Sequence, residues 1–300
     1  MDTDGRHLGD LVGVVIITRN RADELLVALQ RMQTLSRELS VVVVDNASSD
    51  GTREQVRRSF PAVRLIEMRE NLGAAARNVG VASLTTPYVA FADDDTWWEE
   101  ASLRRAVELL DAIPDLSLVC GRFVVEPGGR PDPAAAVLAA SPLAPGVEAP
   151  GRRVLGFLAG ASVVRRAPFL DVGGFHRRFL VGGEESLVAW DLSARGGICH
   201  YVDDVVVHHQ PSTARDLTRR REIEMRNDLW TAWLRRPVRD ALSITRRHVR
   251  RARANRAMYR PLVEALRGAW WVVLERRPLP AEVAADLRLV EYGIGSTEDR

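Results

Sequence analysis

Lysine is missing altogether: all 42 basic residues of this 300-residue chain are arginine, a bias that reads as GC-rich coding and carries no mechanism. Cysteine is almost missing too. Cys120 and Cys199 lie in apolar, strand-like surroundings and are too few for a disulfide framework, which leaves reduced core thiols. No apolar run approaches the roughly 20 residues that a membrane span needs, and no basic-plus-apolar leader precedes the first strand. A cytoplasmic protein is therefore expected. No recognised nucleic-acid module is visible, so no nucleic-acid partner is expected either. What is present is a globular composition: 46% hydrophobic residues, 40 acids nearly balancing the bases, and length for one large domain plus an appendage.

Short apolar runs alternate with helical periodicity through the first half. Leu11 to Ile17 reads as a buried strand that stops at Thr18-Arg19-Asn20-Arg21, and Leu25, Leu26, Leu29 and Met32 recur at helical spacing behind it. Val41 to Val44 runs into the turn and cap formers Asp45 to Thr52. A helix over 52–60, a strand over 63–67 and a helix over 74–81 follow, the last opened by Asn71-Leu72-Gly73. Then Tyr88 to Ala92 breaks abruptly into Asp93-Asp94-Asp95. Strands and helices in this rhythm predict βαβ units and parallel pairing, with loops at strand carboxyl ends sharing one rim. Thr18, Asp45, Arg77 and the three aspartates should converge there.

Further on, a helix over 99–112 and a strand over 116–125 are expected. Residues 127–153 hold six prolines, too many breakers for regular structure, and read as a lid or binding wall. An apolar strand punctuated by glycines is expected over 155–164 and a short helix over 165–172. Glu184 and Glu185 open a helix that ends at Gly196-Gly197, and two strands follow over 198–202 and 205–207, up to His208-His209.

Three consecutive carboxylates repel one another and call for a counter-charge; a hard divalent cation, Mn²⁺ or Mg²⁺, bridging to phosphate oxygens is the natural one. The alternative is a solvated turn or a helix cap. A histidine from another strand end, His208 or His209, would complete an oxygen and nitrogen ligand set, although such a histidine is also a common structural residue. Glu184 or Glu185 could serve as a general base, or could simply complement the helix dipole. Arg77, on a helix opened by Asn-Leu-Gly, could meet a diphosphate or form a surface salt bridge.

In their order and spacing, Thr18 to Arg21, Asp45 to Thr52, Asn71-Leu72-Gly73 with Arg77-Asn78, Asp93 to Asp95, Gly173-Gly174-Phe175, Gly183-Glu184-Glu185 and His208 resemble a family 2 glycosyltransferase. The resemblance covers about Val12 to Ser212. It implies an α/β GT-A fold, a nucleotide-binding mixed sheet flanked by helices, over residues 1–214, with a basic helical region over 215–300. It also implies an inverting transfer of one sugar from a nucleotide-sugar donor to a hydroxyl acceptor, whether glycan, lipid-linked or small molecule. By that resemblance Asp45 receives the nucleobase, uridine or thymidine being expected, with Thr18 and Arg19 in the same pocket and Arg77 nearby. Asp93 and Asp94 lie on the donor side, Asp93 and Asp95 hold the metal with His208, and Glu185, beside Glu184, is the catalytic base. The chain departs from the family pattern at three positions: Glu185 stands where Asp is usual, Leu187 where a second acid is common, and Asp191 where Arg is common. The Gln-x-x-Arg-Trp motif of processive synthases is absent, so a single transfer is expected.

The remaining residues, from Arg215 onward, are basic and helix-prone, with Leu229, Trp230, Trp233, Leu234, Trp270 and Trp271 as apolar positions. They read either as an appendage with solvated charges or as an interfacial segment meeting anionic lipid, which would place the protein peripherally on a membrane's inner face. Acceptor contacts are expected from the proline-rich loop and Trp97-Trp98. Two rival activities remain. A nucleotidyltransferase should carry a glycine-rich basic loop after its first strand, which Thr18 to Arg21 is not; a non-catalytic sugar-nucleotide binder would need no base.

Overall fold

The computed structural model describes residues 6–33, 35, 39–211 and 217–298. A ten-stranded sheet organises them, in the order β3, β2, β1, β4, β9, β6, β10, β5, with β7 beside β6 and β8 beside β10. The strands are β1 (Val12–Thr18), β2 (Val41–Asp45), β3 (Arg64–Glu67), β4 (Tyr88–Asp93), β5 (Thr96–Trp98), β6 (Leu116–Val125), β7 (Arg130–Pro131), β8 (Arg152–Arg153), β9 (Ser162–Arg165) and β10 (Ile198–His209). The first half is parallel, as the βαβ rhythm predicts, while β9 runs antiparallel between β4 and β6 and β5 antiparallel to β10. The expected mixed sheet is thus observed.

Helices cover both faces. They are α1 (Leu8–Leu11), α2 (Ala22–Arg31), α3 (Thr52–Ser59), α4 (Ala76–Ser83), α5 (Glu100–Ala112), α6 (Pro133–Ala139), α7 (Arg166–Asp171) and α8 (Glu184–Ser193), then α9 (Leu217–Arg235), α10 (Val238–Ala254), α11 (Tyr259–Arg267), α12 (Ala269–Leu274) and α13 (Ala281–Glu298). Alternation along β1 sends Val12, Val14 and Ile16 into a layer with Leu25, Leu29, Leu103 and Leu110. Val15 enters the opposite layer with Val81, Phe169 and Val188. Each such fully buried side chain contributes about 1.5–3 kcal/mol, which holds the strand ends rigidly in place.

Parallel register then sets the rim. Thr18 lies beside Asp45, and Ile17 beside Asp93, so three strands deliver their last polar side chains to one row.

Several expectations need correction. The proline-rich stretch is not irregular throughout: Asp132 caps α6, with Pro133 at its first position, and Ala135 and Leu143 are buried in the core. Both ring nitrogens of His200 lie within 3.0 Å of the carbonyls of Pro145 and Pro150, so this stretch is pinned to the sheet and is no lid. Only 162–164 of the expected 155–164 strand joins the sheet, within β9, while 198–209 forms one long strand with a bulge between Tyr201 and Val206. Trp98 is a strand residue buried in the sheet, its indole donating to the Phe91 carbonyl at 2.8 Å, which removes it as an acceptor contact, while Trp97 stacks on His208 and lines a small cleft beside Asp95.

The boundary drawn between residues 214 and 215 lies outside the described residues, as does Ser212. The helices beyond it pack on the catalytic sheet. Val283, Ala284 and Leu287 of α13 bury into the layer under β1, and Arg153 pairs with Asp286 at 2.6 Å. Helix α9 packs on α8 and carries a third apolar cluster that includes Phe179, Leu187, Trp230 and Trp271.

Candidate active site

At the carboxyl ends of β1 and β4 opens a cleft of about 450 Å³, lined among others by Thr18, Arg19, Arg21, Asn46 and Asp93 to Asp95. Asp45, the register partner of the lining residue Thr18, is wholly buried. One of its oxygens accepts from Arg53 Nε at 2.6 Å and from the Ser48 amide at 3.1 Å, while Oδ1 has no partner. A buried acceptor left open is costly, so this oxygen suits a ligand that brings a donor. Asn46 spans to the next loop, donating to the Gly73 carbonyl and accepting from the Leu72 amide, both at 3.0 Å.

The three aspartates face three ways. Asp93 pairs with Arg77, which is buried under the sheet edge and lies 5.5 Å from the Phe175 ring; this is no surface salt bridge. Gly160 permits the arrangement, because a Cβ there would sit 2.7 Å from Asp93 Oδ2. Asp94 turns inward, taking a hydrogen bond from Thr18 Oγ1 at 3.1 Å and an ion pair from Arg21. Burial, with Asp95 and Asp93 adding to it and Arg21 opposing, pushes its carboxyl up to about 7. Asp95 lies 3.5 Å from Arg21 and 3.7 Å from His209 Nε2.

The histidine at that position is His209 and not the expected His208. Neighbouring residues of a strand point to opposite faces. His208 stacks on Trp97 and lies near Glu99 and Glu126, at 3.0 and 3.1 Å. Asp95, Asp93 and His208 therefore form no common ligand set, and among the described residues no three His, Cys, Asp or Glu side chains cluster to hold a metal. His209 is nearly buried, and its Nδ1 has no hydrogen-bond partner. The Asp95 to His209 gap of 3.7 Å exceeds a hydrogen bond, and an oxygen and a nitrogen donor facing across it could hold a divalent cation that takes its other ligands from substrate and water.

Glu184 and Glu185 lie on the first turn of α8; Val181, in the loop before it, lines the cleft, and neither glutamate does. Glu184 is buried with Oε2 unpartnered, whereas Glu185 keeps partial exposure. Burial lifts both carboxyls above the ordinary range, Glu184 well above it; the neighbouring Glu185 charge adds to that rise, while Arg77 and Arg220 oppose it. Glu185 also feels Asp93, which raises it further, against the pull of Arg77 and Arg220. Charges at the acid end, Asp93 and Arg77, thus bias the Glu185 carboxyl in opposite directions.

The preceding loop is held from two sides. Gly73, at φ +57°, lets the Leu180 carbonyl approach and accept from the Ala74 amide at 2.7 Å; a Cβ there would lie 2.1 Å from that oxygen. Leu180 itself sits at φ +64°, unfavourable for a branched residue and held by these contacts. From α9, the buried Asn227 amide reaches the carbonyls of Phe179, Val181 and Gly182 at 2.6–3.0 Å. Arg219, Arg220 and Ile223 of the same helix line the cleft. Sequence reasoning named His208 and His209 without separating them, the resemblance alone pointing to His208, and it missed Arg21, Asn227 and this α9 wall.

The sequence of residues 13–171 matches the profile described as Glycosyl transferase family 2. The chain belongs to glycosyl transferase family 2. Among its relatives, an N-acetylglucosaminyl-diphospho-decaprenol L-rhamnosyltransferase of Mycobacterium tuberculosis is 28% identical over 243 residues, 69% of this chain and 79% of the relative. A pre-mycofactocin glycosyltransferase of the same species is 31% identical over 212 residues, 67% of this chain and 43% of that protein. Among solved structures, the mannosyltransferase PcManGT from Pyrobaculum calidifontis, in complex with GDP-Man and Mn²⁺, superposes with a TM-score of 0.59 at 22% identity, covering 95% of this chain and 85% of that one. The protein is a glycosyltransferase of GT-A type fold. Among its described residues, no helix is long and apolar enough to cross a membrane.

Proposed function

We propose that this glycosyltransferase moves one sugar from a nucleoside-diphosphate sugar to a hydroxyl of its acceptor by single displacement with inversion. The observation that carries the reading is a shared wall: Val181, three residues before Glu184, lines the donor cleft with Asp93 to Asp95, and the loop that holds it is bonded through Leu180 to the turn opening α4, whose Arg77 pairs with Asp93.

On this reading the open Oδ1 of Asp45 accepts a donor hydrogen from the nucleobase, with Thr18 and Arg19 beside it, and Asp93 and Asp94 flank the donor's sugar-phosphate portion. Asp95 and His209 would hold a divalent cation, whose ligand preference their oxygen and nitrogen atoms fit; His209 takes the place expected of His208. When bound, the cation supplies neutralisation of the charge that grows on the diphosphate. Glu185 takes the acceptor proton as the acceptor oxygen bonds to the anomeric carbon, the bond from that carbon to the diphosphate oxygen breaks on the opposite face, and the nucleoside diphosphate leaves under Arg77. Glu184, more deeply buried, shapes the local field and does not receive the proton.

The test combines a thermal-shift panel of nucleotide-sugars, with and without Mn²⁺, with detection of the released nucleotide and of the anomeric configuration of the product. Stabilisation by one donor that needs Mn²⁺, release of nucleoside diphosphate and inverted configuration are expected. Release of pyrophosphate, or retained configuration, would overturn the reading.

A further inference from the structure

Beyond the donor cleft, α9, α11 and α12 leave a second one of about 470 Å³. Arg177, Arg178, Arg219, Arg226 and Arg267 line it against a single acid, Glu264, five positive charges to one negative. Glu264 is already shared by Arg219, Arg226 and Arg260, and Glu222 pairs with Arg219 at 2.9 Å from outside the cleft, so the surplus rests on Arg177, Arg178 and Arg267. The Arg178 guanidinium lies 5.2 Å from the rings of both Trp270 and Trp271, which holds it in place over an apolar floor. A site of this charge is built for an anion.

Two further observations say what carries that anion. Arg219 lines both this cleft and the donor cleft, while the adjacent Leu180 and Val181 line one each, so the two open side by side. On the outer side, Leu266, Trp270, Val273 and Leu274 recur along α11 and α12 at helical spacing with exposures of 75%, 61%, 72% and 76%. An apolar stripe on that scale beside concentrated arginine is the composition of a surface that rests in the headgroup layer of an anionic membrane.

We propose that this cleft is the acceptor-side site and takes the phosphate or diphosphate of a lipid-linked acceptor, while the Leu266 to Leu274 stripe lies in the bilayer that holds the lipid's chain. The inference rests on the glycosyl-transfer reading, to which it adds the acceptor class. The arginines hold the charged linkage, so the hydroxyl beyond it reaches Glu185 through the shared Arg219 edge.

The experiment is co-sedimentation of the full chain with phosphatidylcholine vesicles, plain or carrying a polyprenyl phosphate, alongside the donor-induced thermal shift of the same preparations. Binding to the doped vesicles only is expected. The pair Arg177→Ala and Arg267→Ala should weaken it about twenty-five-fold, at about fivefold per arginine near a charged surface. The pair Trp270→Ser and Leu274→Ser should abolish sedimentation, and added inorganic phosphate should not displace the wild type. A preserved donor shift shows that each variant is folded. Equal binding to plain vesicles, indifference to the arginine pair, or displacement by inorganic phosphate would overturn the inference. So would a stripe variant that changes the oligomeric mass while vesicle binding persists. Loss of vesicle binding with an intact donor shift in the wild type removes this inference alone, whereas absence of any donor shift removes the transferase reading.

Discussion

The donor rim and the helical C-terminal region solve opposite problems with the same residue, arginine. At the rim, Arg21, Arg53 and Arg77 each meet a carboxylate at a strand end and are fixed by a buried sheet behind them. Against the α9 to α12 region, Arg177 and Arg178 of the loop before α8 and Arg267 of α11 stand exposed near the indoles and an uncovered apolar stripe. One half is preorganised for a small, rigid, charged donor; the other is left open to something larger. Preorganisation shows as pinned charge and openness as surplus charge, and this contrast separates substrate sides that a single pocket description would merge.

Variants in the two halves can break or sharpen this comparison. Arg77→Ala should be the most severe, lowering kcat about 10²–10³-fold through loss of charge stabilisation at the leaving group; a change below about threefold in a steady-state assay would uncouple the rim from the glutamates. Asn227→Ala lies in the other half, far along the chain, yet should lower kcat about tenfold to hundredfold by loosening the loop that places Glu185. It should also cost about 2 kcal/mol in denaturant unfolding, because buried carbonyls lose their partner. If activity were untouched, α9 would be mere scaffold.

The pH dependence of kcat/KM comes next in size. The base form of Glu185 exists above its own pKa, and burial raises that value, so activity should rise with pH on an acid limb placed above the ordinary glutamate value of about 4.3. A limb at the ordinary value would contradict the site's burial. Smallest is Glu184→Gln, a gain of about 1 kcal/mol at neutral pH. Because the folded-state pKa of Glu184 is raised, its neutral form stabilises at low pH and that stability is lost as pH rises through the raised value. Gln mimics the neutral acid throughout, so the gain should vanish in acid.

Much of the rim was legible because apolar runs that stop at polar residues mark strand ends, and parallel register does the rest. Thr18, Asp45 and Asp93 needed nothing further. The choice between His208 and His209 was left open by the residues and fell on His208 only through the resemblance, although a signal existed for which of them faces Asp95: Val205 and Val207 are both fully buried, and continuing their alternation points to His209. Reading Val205 to Val207 as an isolated run hid that phase. Asp132-Pro133 likewise announced α6 among the prolines. Arg21, one residue before α2, carried no mark separating it from Arg19. Asn227 carried none at all, since helical periodicity says which face is apolar but not which distant loop a buried amide will meet. The same limit made α9 read as solvated charge when it forms a wall of the cleft.

The most direct test is to measure kcat and donor affinity on one preparation of Glu185→Gln. A fall in kcat of about 10²–10⁴-fold, with the donor dissociation constant unchanged within about twofold, is the expected result for a base that does not hold the donor. Turnover like the wild type in that variant would contradict a site in which the donor aspartates share a wall with a catalytic glutamate.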